Sequence, residues 1–122
     1  MDTARPFKSY KNLKVWQKSI ELVRLIYKIT NSFPRSEVFS LVSQIRRAAI
    51  SIPSNIAEGY GRKSHKEYLQ YYSIAYSSAL ETETQLIISK DLGFITEKEF
   101  DAVSCLLTEI IKMLYVMVFK AP

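Results

Sequence analysis

Four segments of the chain place apolar residues three and four positions apart, the spacing of one face of an α-helix. Residues 12–32 carry two such stripes side by side. The first comprises Leu13, Trp16, Ile20, Val23 and Tyr27, and the second comprises Leu22, Ile26, Ile29 and Phe33. Pro34 ends the pattern, because the residue before a proline avoids helical geometry. We therefore predict a first helix over residues 12–32, with Asn12 as its N-cap.

The second helical segment follows Ser36, a candidate N-cap, and its apolar positions continue past Pro53. Proline lacks a backbone donor and clashes with the preceding turn, so we expect a kink or break near residues 49–53. Gly59 and Gly61 are expected to end this helix, since glycine is the usual residue just beyond a helix.

Capping boxes open the third and fourth segments. In Ser64-His65-Lys66-Glu67 and Thr96-Glu97-Lys98-Glu99, the hydroxyl can accept a hydrogen bond from an unpaired amide while the last glutamate reaches back. The third segment closes at Gly93, and the fourth has a heptad-like apolar seam. Its members are Phe100, Val103, Leu107, Ile110, Leu114 and Met117. Because short connections make consecutive helices antiparallel neighbours, the pattern predicts an all-α, up-down-up-down four-helix bundle over residues 12–120, preceded by a flexible arm of residues 1–11.

Length and composition narrow the possible functions. The chain has 122 residues, of which 48% are apolar, which suits one domain with its own core. The one cysteine, Cys105, excludes a disulfide framework, and its apolar neighbours predict a buried thiol. Neither a secretory signal nor an apolar run of about 18 residues is present, so we expect a cytoplasmic protein that does not enter membranes.

Catalytic and metal chemistry are both poorly supported. Di-iron bundles use Glu-x-x-His pairs, but the one histidine, His65, has Arg62 rather than a glutamate three residues before it. We therefore expect no metal and no cofactor. A nucleophile triad would have to use this same histidine, and no arginine stands at the spacing used by bundle ribonucleases. We expect no enzymatic activity, with a ribonuclease as the weakest alternative.

Asn55, Glu58 and Glu81 are interpreted as structural polar residues. Asn55 and Glu58 follow the proline of the second segment and are candidates for satisfied internal polar groups. Glu81 and Glu83 point about 200° apart on a helix and cannot share one site. Either Glu81 or Glu83 enters the bundle to meet an arginine such as Arg46 or Arg47, or both are solvated.

Charge is divided unevenly along the chain. The overall charge of +5 combines +9 over residues 1–66 with −4 over residues 67–122. Tyrosines interleave with the last basic cluster of the first half, and cations with aromatics are the composition of a nucleic-acid surface. The candidate nucleic-acid contacts are Lys14, Lys18, Arg46, Arg47, Arg62, Lys63 and Lys66. Lysines on a solvated face and tyrosines in packing remain the alternative interpretation.

The fourth helix carries more apolar surface than one bundle can bury. Residues 113–119 are apolar all round, and the first helix has its two stripes. A helix that is apolar on every side is normally buried on every side. We therefore expect self-association, unless the arm of residues 1–11 covers the excess.

The stretch QIRRAAISIPSNIAEG at residues 44–59 is a specific signature. With Leu13-Lys-Val-Trp16, Phe33-Pro34 and Leu92-Gly93, it resembles the four-helix bundle family of proteins encoded in intervening sequences of bacterial 23S rRNA genes. The resemblance covers nearly the whole chain. It implies a left-handed bundle that assembles as a ring-shaped homopentamer, similar to the accessory protein of diversity-generating retroelements, which binds nucleic acid and a reverse transcriptase.

Two functions are therefore left in competition. The first is a non-enzymatic oligomeric bundle that binds structured RNA or DNA by phosphate contacts. The second is a protein-interaction scaffold whose basic face docks an acidic partner protein. Both use the same basic face, so the sequence does not distinguish them.

Overall fold

The structure, a computed structural model, describes residues 9–120. Within them it contains α-helices and no strand. Helix α1 spans Lys14–Thr30, α2 spans Ser43–Tyr60, α3 spans His65–Asp91 and α4 spans Glu97–Tyr115. Each helix packs on the next, and α1 also packs on α4, which closes the bundle. The predicted all-α, up-down-up-down four-helix bundle is confirmed.

The predicted N-caps of the first two helices are wrong, because short turns of other helical types precede both helices. Asn12 belongs to the 3₁₀ turn Tyr10–Asn12, and its side-chain oxygen accepts a hydrogen bond from the Ser9 amide at 3.1 Å. Ser36 lies inside the 3₁₀ turn Arg35–Glu37, which continues through the π-helical turn Val38–Val42 into α2.

The later caps agree better with the sequence. Thr96 Oγ1 accepts from the Glu99 amide at 3.1 Å, and Glu99 Oε1 accepts from the Thr96 amide at 2.9 Å, which completes the predicted capping box. Ser64 Oγ accepts from the Glu67 amide at 3.1 Å, without the reciprocal contact in its cap. Gly93 ends α3 with a φ of 79°, a conformation that glycine adopts without strain.

The second apolar stripe of α1 faces the core, whereas most of the first lies outside it. Leu22 and Ile26 are fully buried, and Ile29 and Phe33 are nearly so. In contrast, Trp16, Ile20 and Val23 are half-buried and Tyr27 is exposed. The seam of α4 does fill the core, through Val103, Leu107, Ile110 and Leu114. The outside of α1 therefore keeps an apolar strip.

Helices α2 and α3 form the most extensive seam, and small side chains line it. Ser78 Oγ donates to Ser51 Oγ across the seam at 2.9 Å. Gly59 lies inside α2 rather than ending it, and a Cβ there would stand 2.7 Å from a ring carbon of Tyr72. Helix α2 continues through Pro53, so the expected break does not occur.

Helix α4 and the π-helical turn Val116–Lys120 carry the largest apolar content. By length and composition alone, Glu97–Lys120 could cross a membrane. The buried seam of α4 accounts for part of that composition, since 22% of the apolar window is buried inside the bundle. Tyr115, Val116 and Phe119 are exposed, so the expected uncovered apolar end is present.

The predicted boundary between arm and bundle falls inside an ordered turn. Lys11 N donates to Ser9 Oγ at 3.1 Å, and the Tyr10 ring packs edge-on against Trp16 with centroids 5.3 Å apart. The described structure therefore begins with a turn attached to the bundle. The rest of the arm, residues 1–8, lies outside the described residues and stays a prediction.

Candidate nucleic-acid interface

One end of the bundle gathers cations from two parts of the chain. The connection between α2 and α3 presents Arg62, Lys63 and Lys66, all exposed. Helix α1 begins at this same end because it runs antiparallel to α2. This group, which we call the basic end, consists of Lys11, Lys14, Arg62, Lys63 and Lys66. The same segments carry two carboxylates, Glu58 and Glu67, so their net charge is +3.

Arg62 is the most closely positioned cation of the basic end. Its Nη2 donates to Tyr71 Oη at 2.9 Å and to Glu58 Oε2 at 3.3 Å. Its guanidinium carbon lies 4.6 Å from the centre of the Tyr71 ring, a cation–π distance. The side chain remains 40% exposed, so the guanidinium is held in place yet open to solvent on one side.

The tyrosines near the basic end mostly serve packing. Tyr72 is buried in the α2–α3 seam, and this burial raises the pKa of its hydroxyl. Tyr68 is half-buried and stacks edge-on between Tyr72 and His65, with centroid distances of 5.1 and 4.7 Å. Tyr71 supports Arg62 rather than standing open as a stacking platform. His65 is exposed in the first turn of α3, as expected.

Lys18 lies further along α1 and is already paired. Its Nζ stands 2.6 Å from Glu109 Oε2 on α4. The hydrogen bond and the negative charge of Glu109 raise the pKa of Lys18 above its ordinary value. The Lys18 ammonium therefore stays charged, and the Glu109 carboxylate neutralises that charge within the chain. For this reason Lys18 is not counted with Lys14 at the basic end.

Arg46 lies about 24 Å from Arg62 along the bundle, at 1.5 Å per helical residue. Its Nε donates to Thr30 Oγ1 at 2.9 Å, and its Nη2 donates to Asn31 Oδ1 at 3.2 Å. The guanidinium carbon also lies 4.3 Å from the centre of the Tyr27 ring. These contacts of Arg46 join the end of α1 to α2.

The seven cations predicted as one site are divided between two regions of the bundle.

Arg47 is exposed and lies between two surface cavities, one towards α1 and one towards α3. It lines a surface cavity with Glu81, but the ion pairs among residues 9–120 do not join Glu81 or Glu83 to an arginine. Glu81 is exposed and accepts a hydrogen bond from Gln85 Nε2 at 3.2 Å. The alternative in which a carboxylate enters the bundle to meet an arginine is therefore wrong.

The other two residues interpreted as structural differ from each other. Asn55 is half-buried, and its Nδ2 donates to the Ser51 carbonyl at 2.8 Å and to Ser51 Oγ at 2.9 Å. Glu58 is exposed and pairs with Arg62, so it belongs to the basic end rather than to the interior.

Cys105 is also exposed, contrary to the prediction of a buried thiol. The described residues contain no group of three or more His, Cys, Asp or Glu side chains able to hold a metal.

The comparisons with known proteins agree on one family. Residues 11–116 match the family model of the 23S rRNA-intervening sequence protein. The chain belongs to this family. No curated protein matches the chain. Its membership confirms the resemblance carried by residues 44–59 and names no catalytic activity.

A solved structure of the same fold supports this membership. The chain is similar to a protein of unknown function from the S23 ribosomal protein family of Bacteroides thetaiotaomicron. The two are 29% identical, the TM-score is 0.78, and the match covers 86% of this chain and 98% of that chain. The fold is therefore shared over almost the full length of the relative.

Proposed function

We propose that the chain is a non-enzymatic, self-associating bundle of the cytoplasm that binds structured RNA or DNA through the basic end. The observation that carries the proposal is the gathering of five cations against two carboxylates where α1 begins and α2 joins α3. Contacts with phosphates account for most of the affinity of such surfaces and require little sequence readout. The family description, which refers to 23S rRNA, makes ribosomal RNA fragments the first probe.

Arg62 supports the proposal in a second way. A guanidinium fixed against an aromatic ring loses less side-chain entropy when it binds a phosphate than a mobile one does. Lys63 and Lys66 flank it with exposed ammonium groups, and Lys14 extends the positive surface onto α1. Among the seven predicted contacts, these four are the ones we assign to the interface. Lys18, Arg46 and Arg47 are not needed for it.

The test is a titration of labelled ribosomal RNA fragments and duplex DNA with the protein across a range of salt concentrations. Each phosphate contact contributes a slope of about −0.9 to the log–log plot for duplex DNA. Four contacts therefore predict a slope between about −3 and −4. Absence of binding to both probes at low salt would contradict the proposal.

Self-association is the second part of the proposal, and the exposed apolar end of α4 and the apolar strip along the outside of α1 support it. The family resemblance suggests five copies. Light scattering is expected to give a mass about five times the 14.1 kDa of the chain. A mass near 14.1 kDa at every concentration would reject this part alone.

An acidic partner protein is the competing ligand for the same surface. Glu58 already pairs with Arg62, so the basic end accepts carboxylates as well as phosphates. If an acidic protein is the natural partner, it should remain bound to the chain after nuclease treatment of a cell extract. Release of all partners by nuclease would favour the nucleic acid.

A further inference from the structure

A groove runs along the outside of the bundle between α1 and α2. It consists of two neighbouring cavities of about 310 and 470 Å³ that share Ile50. The wall on α1 is its outer stripe, and the wall on α2 lies opposite. The lining of the groove includes Trp16, Ile20, Val23, Tyr27, Ile50 and Pro53.

Phe39 stands at one end of this groove and is 96% exposed. It lies in the π-helical turn Val38–Val42, where the wider winding takes it out of the α-helical register that directs Val42 into the core. Val38 beside it is also exposed. A phenylalanine side chain buries about 150–250 Å² when it is covered, so in the single chain nearly all of that apolar area faces solvent.

We propose that a second copy of the chain completes this face, with Phe39 of one subunit seated in the α1–α2 groove of another. The inference deepens the self-association of the proposed function and rests on it. It adds the contact: the groove supplies apolar walls, and the neighbouring copy supplies the aromatic side chain that fills them. The cavity lined by Trp16, Ile20 and Pro53 is large enough for a side chain of this size.

The size of the face fits this occupant. Helices of 17 and 18 residues are about 26 Å long and, side by side, about 20 Å wide, which gives a flat area of about 500 Å². The relief of the side chains and the projecting Phe39 make the accessible area of the face larger than this flat area, and a standard interface buries ~800 Å² from each partner. That area is about one-tenth of the 7875 Å² surface of the chain, the usual share for a small protein.

The chemistry of the groove suits a protein surface better than a phosphate backbone. Ile20, Val23 and Ile50 offer no donor to a phosphate. At the Phe39 end, Arg46 already donates to Thr30 and Asn31, and Arg47 is the exposed cation of the lining. The cations that we assign to nucleic acid lie at the basic end, beside the cavity lined by Tyr10 and Trp16 and at the opposite end of α2 from Phe39.

The first test compares Phe39→Ala with the wild type by sedimentation over a dilution series. Because Phe39 makes little contact within its own chain, the variant should keep the wild-type thermal midpoint while its association weakens about thirtyfold or more, as for a central interface residue. Leu92→Ala is the matched control, since Leu92 is 58% exposed and lies outside the groove. It should associate like the wild type.

The outcomes separate this inference from the proposal beneath it. A wild-type protein that is monomeric throughout defeats the self-association and, with it, the contact. A wild-type oligomer whose association is unchanged by Phe39→Ala overturns the contact alone. A Phe39→Ala variant that keeps its mass and loses RNA binding would likewise overturn it, by assigning the groove to nucleic acid.

The second test is a disulfide between subunits. Ser40 lies beside Phe39, and Ser54 lines the groove; both are exposed. They lie about 20 Å apart along one continuous helical stretch, too far to bridge within a chain. The Ser40→Cys/Ser54→Cys protein, made with Cys105→Ser, should form covalent multimers on mild oxidation. Assembled protein that forms none would contradict the contact, and a Ser54→Cys/Cys105→Ser protein serves as the control.

Discussion

The basic end and the region around Arg46 carry charge of the same sign but use it differently. At the basic end, five cations face two carboxylates, and Lys63 and Lys66 extend from the surface. Around Arg46, the guanidinium lies on Tyr27 and its donors reach Thr30 and Asn31. One region presents its charge to solvent, whereas the other uses it to join two helices. A count of cations along a sequence does not separate these two uses, because the difference lies in what each side chain contacts.

Gly59→Leu should produce the largest effect, because it disturbs the packing beneath the basic end. The added side chain meets Tyr72 and Tyr71, both within about 3 Å of a Cβ at this position, and overpacking of this kind costs about 3 kcal/mol. Chemical denaturation measures the loss of stability. Gly61→Ala is the matched control and should change stability by less than about 0.5 kcal/mol, since its nearest neighbour would be 3.6 Å away. Equal stability of the two variants would show that the α2–α3 seam accommodates the larger side chain without strain.

Arg46→Ala should come next, with an effect on stability and none on nucleic-acid affinity. Loss of the hydrogen bonds to α1 and of the Tyr27 contact should cost about 1–2 kcal/mol in denaturation. Arg47→Ala removes the same charge from an exposed position and should cost less than about 0.5 kcal/mol. If Arg46→Ala keeps full stability and weakens RNA binding, the distinction between the two regions fails.

Arg62→Ala should show the reverse behaviour, weakening binding more than stability. The loss of one positioned phosphate contact is expected to lower RNA affinity about tenfold and to reduce the salt slope by about one. Arg62→Lys keeps the charge but not the planar fork, so an intermediate affinity is expected. A wild-type affinity for Arg62→Ala at low salt would remove Arg62 from the interface.

Lys18→Ala should produce the smallest effect. Because Glu109 neutralises Lys18 within the chain, RNA affinity should change less than about twofold, in contrast to Lys14→Ala, which should weaken binding about threefold to tenfold. Filter binding at low salt measures both. A larger loss for Lys18→Ala than for Lys14→Ala would place the interface further along α1.

The sequence predicted the elements of the fold well where the signal was local. The capping box at Thr96 and the glycine at position 93 set helix ends through neighbouring residues alone. The seam of α4 was also predictable, because its apolar positions repeat like a heptad. Helix α1 was harder, since both of its stripes are apolar and periodicity does not tell which one faces the core.

The candidate site was predicted only in part, for a different reason. Lys63 and Lys66 are exposed as expected, but the partners of Lys18 and Arg46 lie on other helices and depend on tertiary packing. The sequence did not single out Phe39, because its exposure depends on the π-helical turn Val38–Val42 in which it lies. Cys105 was misjudged from its neighbours in sequence, whereas its exposure follows from the face of α4 on which it lies.

The central claim is that nucleic acid binds at the basic end, and one comparison tests it most directly. Lys14, Lys63 and Lys66 are changed together to Glu, and in a second protein three exposed cations away from this end are changed to Glu. The control positions are Lys28, Arg35 and Lys98. Both variants lose the same net charge, so non-specific attraction falls equally.

RNA affinity of the two variants is measured side by side at low salt, with helical content and mass as checks on folding and assembly. The first variant should bind about a hundredfold or more weaker than the wild type, with a salt slope reduced by about three. The control should stay within about tenfold of the wild type, through the long-range field alone. Equal losses in the two variants would contradict a localised interface and would attribute binding to net charge.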